Sequence, residues 1–380
     1  MLWERGRSGK FVLGGGAIAR ACITLISEDH RQKEASRKAG APSNHPPCGW
    51  LHLRRLFSLA LPMKAPPPPL FVSFASIDEA LEAMPARFRD GIRDSMHPLS
   101  ARGLPPALSV GVVATLFGVS IPFVRAMSSN PRRYYREFVM RKGKKRRNIS
   151  APKVALKLIQ SWIGTHLSRS IDLNDCVYGF VPGRNGVIEA ASQHCCARWV
   201  YSLDLRDFFP SVSAERVEAS LCNIGYSANA SAFITSLCTL NGVLPQGSPA
   251  SPVLSNLVFA DTDQSLLNLA NEQDIRYTRY ADDLVFSGIG AVPVNLQERV
   301  KACLADYKWT IAEDKEKLAV LPHRLKVHGL VVHGSAPRLT KGYRNRIRAY
   351  RHLLAAGKVS ANDLAKVKGH ISYAEQVEGV

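Results

Sequence analysis

The chain has 380 residues, of which 46% are hydrophobic, and this is enough to bury the core of one large domain or of two ordinary ones. The formal net charge of +19 at pH 7 suits a polyanionic partner held by salt-dependent phosphate contacts, although a generic basic protein would share it. The eight cysteines show neither metal-type spacing nor a disulfide framework, which favours reduced thiols in a cytoplasmic protein, and no apolar run reaches the length of a membrane span.

The first 75 residues are predicted to be a poorly ordered leader and linker. They show no clear hydrophobic periodicity, and the four consecutive prolines at residues 66–69 favour an extended spacer over a helix. Residues 11–26 faintly resemble a signal peptide, but three glycines and Arg20 argue against that interpretation. One hypothesis places the start of translation at Met63.

Two helical patterns follow the leader. Residues 76–95 are predicted to form one amphipathic helix capped by Ser76. Its apolar positions recur at helical spacing: Ile77, Leu81, Met84 and Phe88. Residues 109–126 predict a helix, a tight turn and a second helix. This pair would either read DNA or simply pack on the rest of the fold.

A basic β-hairpin is predicted next. Residues 134–140 favour a strand, residues 141–147 are nearly all basic, and a second strand follows them. Lys and Arg side chains in such a turn can neutralise phosphate oxygens, and the guanidinium of an arginine offers a bidentate fork. A solvated turn would explain the lysines equally well. Residues 154–167 then predict a helix with one apolar face.

Three carboxylates form the main chemical pattern. Asp282 and Asp283 lie between apolar β-type runs, which predicts a hairpin with both acids at its tight turn. Two like charges at that spacing are unfavourable unless a cation neutralises them, and hard oxygen ligands suit Mg²⁺. Asp204 ends another apolar strand and would join them if the two strands are neighbours. Three carboxylates around two Mg²⁺ ions would serve phosphoryl or nucleotidyl transfer, whereas a solvated Asp-Asp turn is the simpler alternative.

The rest of the chain is predicted to be mostly helical. Helices are predicted at residues 214–224, 230–240, 254–269, 295–307, 341–354 and 362–377, and a hairpin is predicted at residues 326–333. The helix at 341–354 is strongly basic on one side and apolar on the other. Residues 244–252 form a turn that leads into a helix beginning near Pro252, which suits a first helical position.

Three of these segments, in this order, resemble the palm motifs of reverse transcriptases. They are Leu203-Asp-Leu-Arg-Asp-Phe-Phe-Pro210, Leu244-Pro-Gln-Gly-Ser-Pro-Ala-Ser-Pro252 and Tyr280-Ala-Asp-Asp283. The chain resembles the bacterial retron type most, from about Leu104 to its C-terminus. It departs from that type where His328 replaces a threonine and where the asparagine expected before His194 is missing.

The resemblance implies a fold and its boundaries. The expected fold is α+β, a right-hand polymerase with an antiparallel palm sheet. The leader would cover residues 1–75, the N-terminal helices and fingers 76–200, the palm 201–335 and the thumb 336–380. Because the family has helices near residues 109–126, the resemblance also favours packing over DNA reading for that pair.

The resemblance also implies roles for individual residues. Asp204, Asp282 and Asp283 would hold the metals together with the carbonyl of Leu205, and Lys315, or else Lys317, would protonate the leaving pyrophosphate. The expected nucleotide-binding residues are Arg147, Arg184, Asp207, Phe209 and Gln246. The expected nucleic-acid contacts are Tyr280, Lys326, Arg344 and Arg348.

Two aromatic or imidazole positions have competing interpretations. In the family an aromatic at the position of Phe209 excludes the ribose 2′-hydroxyl, so it would make DNA the product. The alternative is a buried palm phenylalanine, a role that suits Phe208 better. His194 matches a family position but could equally be a core or structural histidine, and no catalytic role is expected for it.

The function implied is RNA-directed DNA polymerisation with two Mg²⁺ ions and deoxynucleotides. A retron type would use a structured noncoding RNA as template and primer, make an RNA–DNA hybrid from an RNA 2′-hydroxyl, and act in antiphage defence with a separate effector protein. The alternatives are another bacterial reverse transcriptase, a catalytically idle RNA-binding protein, and an RNA polymerase, which Phe209 disfavours.

Overall fold

A computed structural model describes residues 69–142 and 145–379 of the chain. Nearly all of the predicted leader therefore lies outside the described residues, together with Met63 and the two residues at the tip of the basic hairpin. No helix in the described part of the chain is both long enough and apolar enough to cross a lipid bilayer.

The described residues alternate between helices and short strands. The α-helices are α1 (Ile77–Glu82), α2 (Ala86–Ala101), α3 (Val110–Phe117), α4 (Ile121–Ser129), α5 (Val154–Ser170), α6 (Gly186–Ser192), α7 (Ala214–Asn223), α8 (Ala228–Cys238), α9 (Ser251–Glu272), α10 (Leu296–Asp306), α11 (Lys341–Ala355) and α12 (Ala361–Glu378). The strands are β1 (Tyr135–Lys142), β2 (Lys145–Pro152), β3 (Trp199–Asp204), β4 (Arg276–Tyr280), β5 (Asp283–Gly288), β6 (Lys317–Val320), β7 (Lys326–Val327) and β8 (Leu330–Val331). Short 3₁₀ helices lie at Pro131–Tyr134 and Glu313–Lys315.

The eight named strands pair with one another in antiparallel fashion. Strands β1 and β2 form the predicted basic hairpin, and β7 and β8 form the predicted second hairpin. The central sheet has the order β4-β5-β3-β6. Strands β3 and β5 are therefore direct neighbours, which is the condition under which Asp204 reaches the acids of the other hairpin.

The first predicted helix is wrong in its extent. Residues 76–95 form two helices, because Pro85 has no backbone N–H to continue α1 and instead stands at the N-terminus of α2. Ser76 does cap α1, accepting from the Glu79 N–H at 3.2 Å. Phe88, expected on the buried face, is 50% exposed, since the break rotates the second helix relative to the first.

The helix pair at residues 109–126 is confirmed as α3 and α4. Ser109 caps α3, and Gly118 ends it with a φ of 61°, a left-handed conformation that glycine adopts without strain. The apolar side chains of both helices belong to the main core: Val112, Val113, Ala114, Leu116, Val124 and Met127. This burial agrees with a packing role.

Two cores cover the two faces of the central sheet. Successive side chains of a strand point to opposite faces, so Tyr201 and Leu203 enter the main core, whereas Val200 enters the second. Helix α9 packs on α5, α7, α10 and β4 and fills the centre of the main core. The second core joins Val200 and Val285 to the β7–β8 hairpin and to helices α11 and α12.

Two helical glycines provide a test of this packing. A Cβ on Gly91 in α2 would meet nothing within 4 Å, whereas a Cβ on Gly164 in α5 would lie 2.9 Å from the carbonyl oxygen of Pro249. We expect Gly91→Ala to raise the free energy of unfolding by about 0.5–1 kcal/mol through helix propensity. We expect Gly164→Ala to lower it by roughly 1–3 kcal/mol, because the backbone at residue 249 must shift.

Urea unfolding of the two variants and of the unmodified chain measures whether the free energy of unfolding rises for Gly91→Ala and falls for Gly164→Ala. Equal effects of the two substitutions would contradict the close approach of α5 to the segment after Pro249.

Candidate functional site

The site is built where β3 ends beside the β4–β5 hairpin. In the antiparallel register Asp204 stands opposite Asp283, and the Leu205 N–H donates to the carbonyl of Asp282 at 3.0 Å. The hairpin turns through Ala281 and Asp282 alone, with Ala281 at a φ of 57°. The structure therefore brings the three predicted acids together at one end of the central strands β3 and β5, as expected from the motifs at residues 203–210 and 280–283.

Burial and mutual repulsion perturb the acids. Burial raises the pKa of Asp204 to about 6, and the neighbouring carboxyls of Asp282 and Asp283 act in the same direction. Burial also raises the pKa of Asp282. Burial acts to raise the pKa of Asp283 too, but the contact with His328, the hydrogen bond with Asp204 and the charge of Lys315 together outweigh it and leave that pKa lowered.

Two basic side chains contact the acids. Lys315, on the 3₁₀ helix after α10, donates to Asp204 Oδ1. That helix is held in place because the Ala312 N–H donates to the Asp204 carbonyl at 2.8 Å. His328 Nδ1 lies 3.6 Å from Asp283 Oδ2, and its ring is nearly buried. Of the two lysines considered from the sequence, Lys315 is the one bonded to Asp204, while Lys317 lies on the edge strand β6 opposite Ser202.

The donor set suits a hard divalent cation. All three acids offer carboxylate oxygens, and the ammonium of Lys315 already lies against Asp204, where positive charge lowers the repulsion. Within the described residues, no three His, Cys, Asp or Glu side chains are placed so that they could hold a metal ion by themselves. Mg²⁺ typically binds through one or two carboxylates and completes its shell with water and substrate phosphates, so a complete cage is not required.

Aromatic side chains line the space beside the acids. Phe208 is buried and packs on Phe259 and Trp309, with ring centroids 6.0 and 5.7 Å away, which supports its interpretation as the core residue of the pair. Phe209 is half-buried, and its ring lies 6.2 Å from that of Phe180. The Phe180 ring in turn lies 6.5 Å from the Tyr280 ring.

The β1–β2 hairpin reaches this region. Arg147 is exposed on β2, and its charge acts on the carboxyl of Asp282, opposing the effect of burial on that pKa. The carbonyl of Gln246 accepts from the Ser150 N–H of the same strand at 2.9 Å. Gly247 has a φ of 133°, and a Cβ there would lie 2.8 Å from the Ser150 carbonyl oxygen. The hairpin and the 244–252 segment are therefore directly joined.

Other predicted residues are not in contact with the acids. Arg184 stacks over Tyr178, 4.5 Å from the ring centroid, and donates to the carbonyl and the carboxylate of Asp175. Asp207 is exposed, with a φ of 47°. Lys326 on β7 and the arginines Arg344 and Arg348 on α11 are all exposed. Their assignment to nucleotide or nucleic-acid binding stays a prediction, as does that of the Leu205 carbonyl.

His194 has a structural role. It is fully buried, and its two ring nitrogens lie 2.7 Å from the hydroxyls of Ser287 and Thr278. Burial lowers its pKa to about 3, so the ring is neutral at physiological pH. It connects α6 to both strands of the acidic hairpin.

Sequence reasoning missed three residues beside the site. His328 was noted only as a departure from a family pattern, and its contact with Asp283 has no sequence signal. The positive φ of 63° and the 40% exposure of Phe180 are visible only in the structure. Arg279 is fully buried directly before the acidic turn, where an arginine in a strand would ordinarily be taken as exposed.

The raised pKa of Asp204 predicts an unusual dependence of stability on pH. A carboxyl with a raised folded-state pKa binds more protons in the folded than in the unfolded chain between about pH 4 and the folded value. The free energy of unfolding without divalent metal should therefore fall as pH rises towards and through about 6. We expect Asp204→Asn to be more stable than the unmodified chain at about pH 7.5, and the difference to shrink by about pH 5.

Thermal unfolding in a chelator at fixed ionic strength measures this. Asp207→Asn is the matched control, because the side chain is exposed and asparagine tolerates the left-handed backbone there. A difference for Asp204→Asn that is constant with pH would contradict the assignment of the shift to Asp204.

Comparisons with known proteins identify the family. Residues 139–335 match the family described as "Reverse transcriptase (RNA-dependent DNA polymerase)". The chain is 32% identical over 316 residues to the retron Mx65 reverse transcriptase of Myxococcus xanthus, covering 76% of this chain and 73% of that one. It is 28% identical over 280 residues to the retron Ec86 reverse transcriptase of Escherichia coli, covering 73% of this chain and 87% of that one.

A third relative gives the same result. The chain is 28% identical over 314 residues to the retron Mx162 reverse transcriptase of Myxococcus xanthus, covering 72% of this chain and 64% of that one. The family has the fingers, palm and thumb fold of right-hand polymerases and generally uses divalent metal ions. The chain therefore belongs to the reverse transcriptases, and within them to the bacterial retron type, as an RNA-directed DNA polymerase.

Proposed function

We propose that Asp204, Asp282 and Asp283 are the catalytic acids of this reverse transcriptase and hold two Mg²⁺ ions together with the nucleotide triphosphate. The observation that carries the proposal is the register of β3 against β5, which sets Asp204 opposite Asp283 beside the two-residue turn. The raised pKa values of Asp204 and Asp282 support it, because burial and the neighbouring carboxyls disfavour their charged forms and a bound cation would favour them.

When bound, the two cations would lower the pKa of the primer 3′-hydroxyl and neutralise the charge that develops on the triphosphate and the leaving pyrophosphate. The three acids would bind the cations and so fix the positions of the reacting groups, and the Leu205 carbonyl would be a further oxygen ligand of the cations. Lys315 is the proposed general acid, because its ammonium already lies beside Asp204 and can carry a proton to the pyrophosphate oxygen.

The remaining predicted residues have proposed roles in substrate binding. Arg147 would balance triphosphate charge, since its charge already acts on Asp282. Gln246 would position the templating base, supported by its backbone bond to β2. Arg184 would have to exchange its bonds to Asp175 for a phosphate, which makes it the weaker of the two arginines as a nucleotide ligand. Asp207 would lie beneath the triphosphate.

The nucleic acid would pass from the acids towards the C-terminal helices. Tyr280 borders the turn, and Lys326, Arg344 and Arg348 offer exposed positive charge to a phosphate backbone. We assign residues 76–200 to the N-terminal helices and fingers, 201–335 to the palm and 336–380 to the thumb. The cytoplasm is the proposed compartment.

The relatives are named as retron enzymes, and this supports a specific template. We propose a structured noncoding RNA that is both template and primer, with synthesis beginning at a 2′-hydroxyl of that RNA and ending in RNA-linked single-stranded DNA. A separate effector protein would complete an antiphage defence system.

Purification from the native host tests this proposal. We expect the unmodified protein to carry RNA with covalently attached DNA, detected as a species whose mobility shifts after either ribonuclease or deoxyribonuclease treatment. Asp283→Asn should carry the RNA without DNA, because the substitution removes a metal-binding charge while keeping the side-chain shape.

The other outcomes separate the alternatives. RNA without DNA on both proteins would favour an idle RNA-binding scaffold. DNA without a covalent RNA link would favour another bacterial reverse transcriptase, such as a group II intron-like one.

Sugar selection by Phe209 is a separate prediction. Removing the ring opens space beside Phe180 for a 2′-hydroxyl, so Phe209→Ala should raise incorporation of ribonucleotides relative to deoxynucleotides by about tenfold or more. Competition assays with both nucleotide types measure the ratio. Phe180→Ala, which enlarges the same aromatic space from the other side, is assayed beside it for comparison. An unchanged ratio for Phe209→Ala would defeat the assignment.

A further inference from the structure

A buried polar network lies directly behind the acidic turn. Arg279 and Asp263 of α9 are both fully buried, and the Arg279 guanidinium donates to both carboxylate oxygens, with Nη2 2.6 Å from Asp263 Oδ2. Arg279 Nη1 also donates to Asn256 Oδ1 at 3.0 Å and to the carbonyl of Ala281 at 3.2 Å. One guanidinium thus joins helix α9 to the turn itself.

The bond to Ala281 falls on a strained residue. Ala281 has a φ of 57°, a left-handed conformation that disfavours residues other than glycine, asparagine and aspartate. Its carbonyl immediately precedes Asp282. A conformation of this kind persists only where its surroundings enforce it, and the Arg279 guanidinium is a buried donor that does so from the side opposite the acids.

The network also reaches a second segment beside the site. Asn256 Nδ2 donates to the carbonyl of Gly179 at 2.9 Å, and the Tyr178 N–H donates to the Arg279 carbonyl at 2.9 Å. Gly179 packs so closely on the turn that a Cβ there would lie 2.4 Å from the Ala281 nitrogen. Phe180, which borders the aromatic space of the site, follows directly.

Stability alone gives a weak reason for such a pair. Two charges lose their hydration when they are fully buried, and well-packed apolar residues of similar volume often replace them without loss. An apolar pair, however, has no hydrogen-bond donors, whereas a guanidinium offers several N–H donors in a fixed plane. The guanidinium fork satisfies Asp263, Asn256 and Ala281 at once, whereas the ammonium of a lysine is a point charge without that planar geometry.

We propose that Arg279 is a positioning residue that, with Asp263 and Asn256, fixes the acidic turn and the segment 177–180 as one rigid unit. Its action on the reaction is indirect, through the placement of Asp282 and Asp283, so it governs kcat more than nucleotide binding. The proposal rests on the catalytic role proposed for those two acids. A misplacement of about 1 Å at the turn suffices to lower the rate by up to about a hundredfold.

Three variants test the proposal. Arg279→Lys keeps a positive charge for Asp263 but loses the fork, and Asn256→Ala removes the bonds to Arg279 and to Gly179. Tyr277→Phe is the matched control, because it removes a 2.9 Å hydrogen bond to the same Asp263 carboxylate but leaves the bonds to Ala281 and Gly179 intact. All are assayed by primer extension at a temperature at which circular dichroism shows each variant to be folded.

We expect kcat to fall by between about tenfold and about a hundredfold for Arg279→Lys and Asn256→Ala, with the nucleotide KM changed by less than about threefold. Tyr277→Phe should keep kcat within about twofold. Hydrogen exchange should accelerate in residues 177–180 and 279–284 of the first two variants and in neither segment of the control. If Arg279→Lys does not fold, Asn256→Ala alone decides the outcome.

Two results would overturn the proposal: full activity of the folded Arg279→Lys or Asn256→Ala protein, or an equal loss of kcat in Tyr277→Phe, which would mean a general effect on the core. Asp283→Asn in the same assay keeps the two proposals apart. If it extends the primer as well as the unmodified enzyme does, the catalytic assignment fails, whereas the exchange data still report on the rigid unit.

Discussion

The antiparallel pairing of β3 with β5 brings three carboxylates together although they repel one another, and the rest of the structure has to hold them there. Asp204 and Asp283 face each other in register, and Asp282 lies in the two-residue turn itself, which is too short to carry it away. Burial is the main cause of the raised pKa values of Asp204 and Asp282, and the neighbouring carboxyls act in the same direction, while Lys315 lies against Asp204 and His328 against Asp283. Crowded negative charge of this kind costs folding free energy, and a bound cation would relieve that cost.

A charge cluster of this kind needs a scaffold that does not relax. Helix α9 supplies it, filling the main core and presenting Asp263 and Asn256 to the arginine before the turn. On the opposite face of the sheet, the second core ties β3 and β5 to the β7–β8 hairpin and to α11 and α12. The acids are thus held at the ends of two central strands in a sheet whose two faces are both covered.

Local patterns made much of this fold predictable. The apolar face of α5 and the two-residue turn between β4 and β5 follow from residues close in the chain, and the motif order indicated that Asp204 would join the turn. The break at Pro85 also had a local signal, the proline itself, and the error there came from giving four apolar positions more weight than one helix breaker.

Other contacts could not be predicted, because they join residues that come close only in the folded chain. Arg279 and Asp263 form a fully buried pair, yet each alone resembles an ordinary polar residue of a strand or a helix. His328 contacts Asp283 because a hairpin from a later part of the chain folds over the turn. Arg184 bonds to Asp175, an acid nine residues before it, and nothing in the sequence pattern indicated this contact.

The most direct test of the central assignment is primer extension on an RNA template with Mg²⁺ and deoxynucleotides, comparing the unmodified enzyme with the double variant Asp282→Asn/Asp283→Asn. The account predicts extension by the unmodified enzyme alone, with both proteins binding the primer–template to within about threefold, because the substitutions remove charge but not shape. Extension by the double variant at the unmodified rate would contradict it.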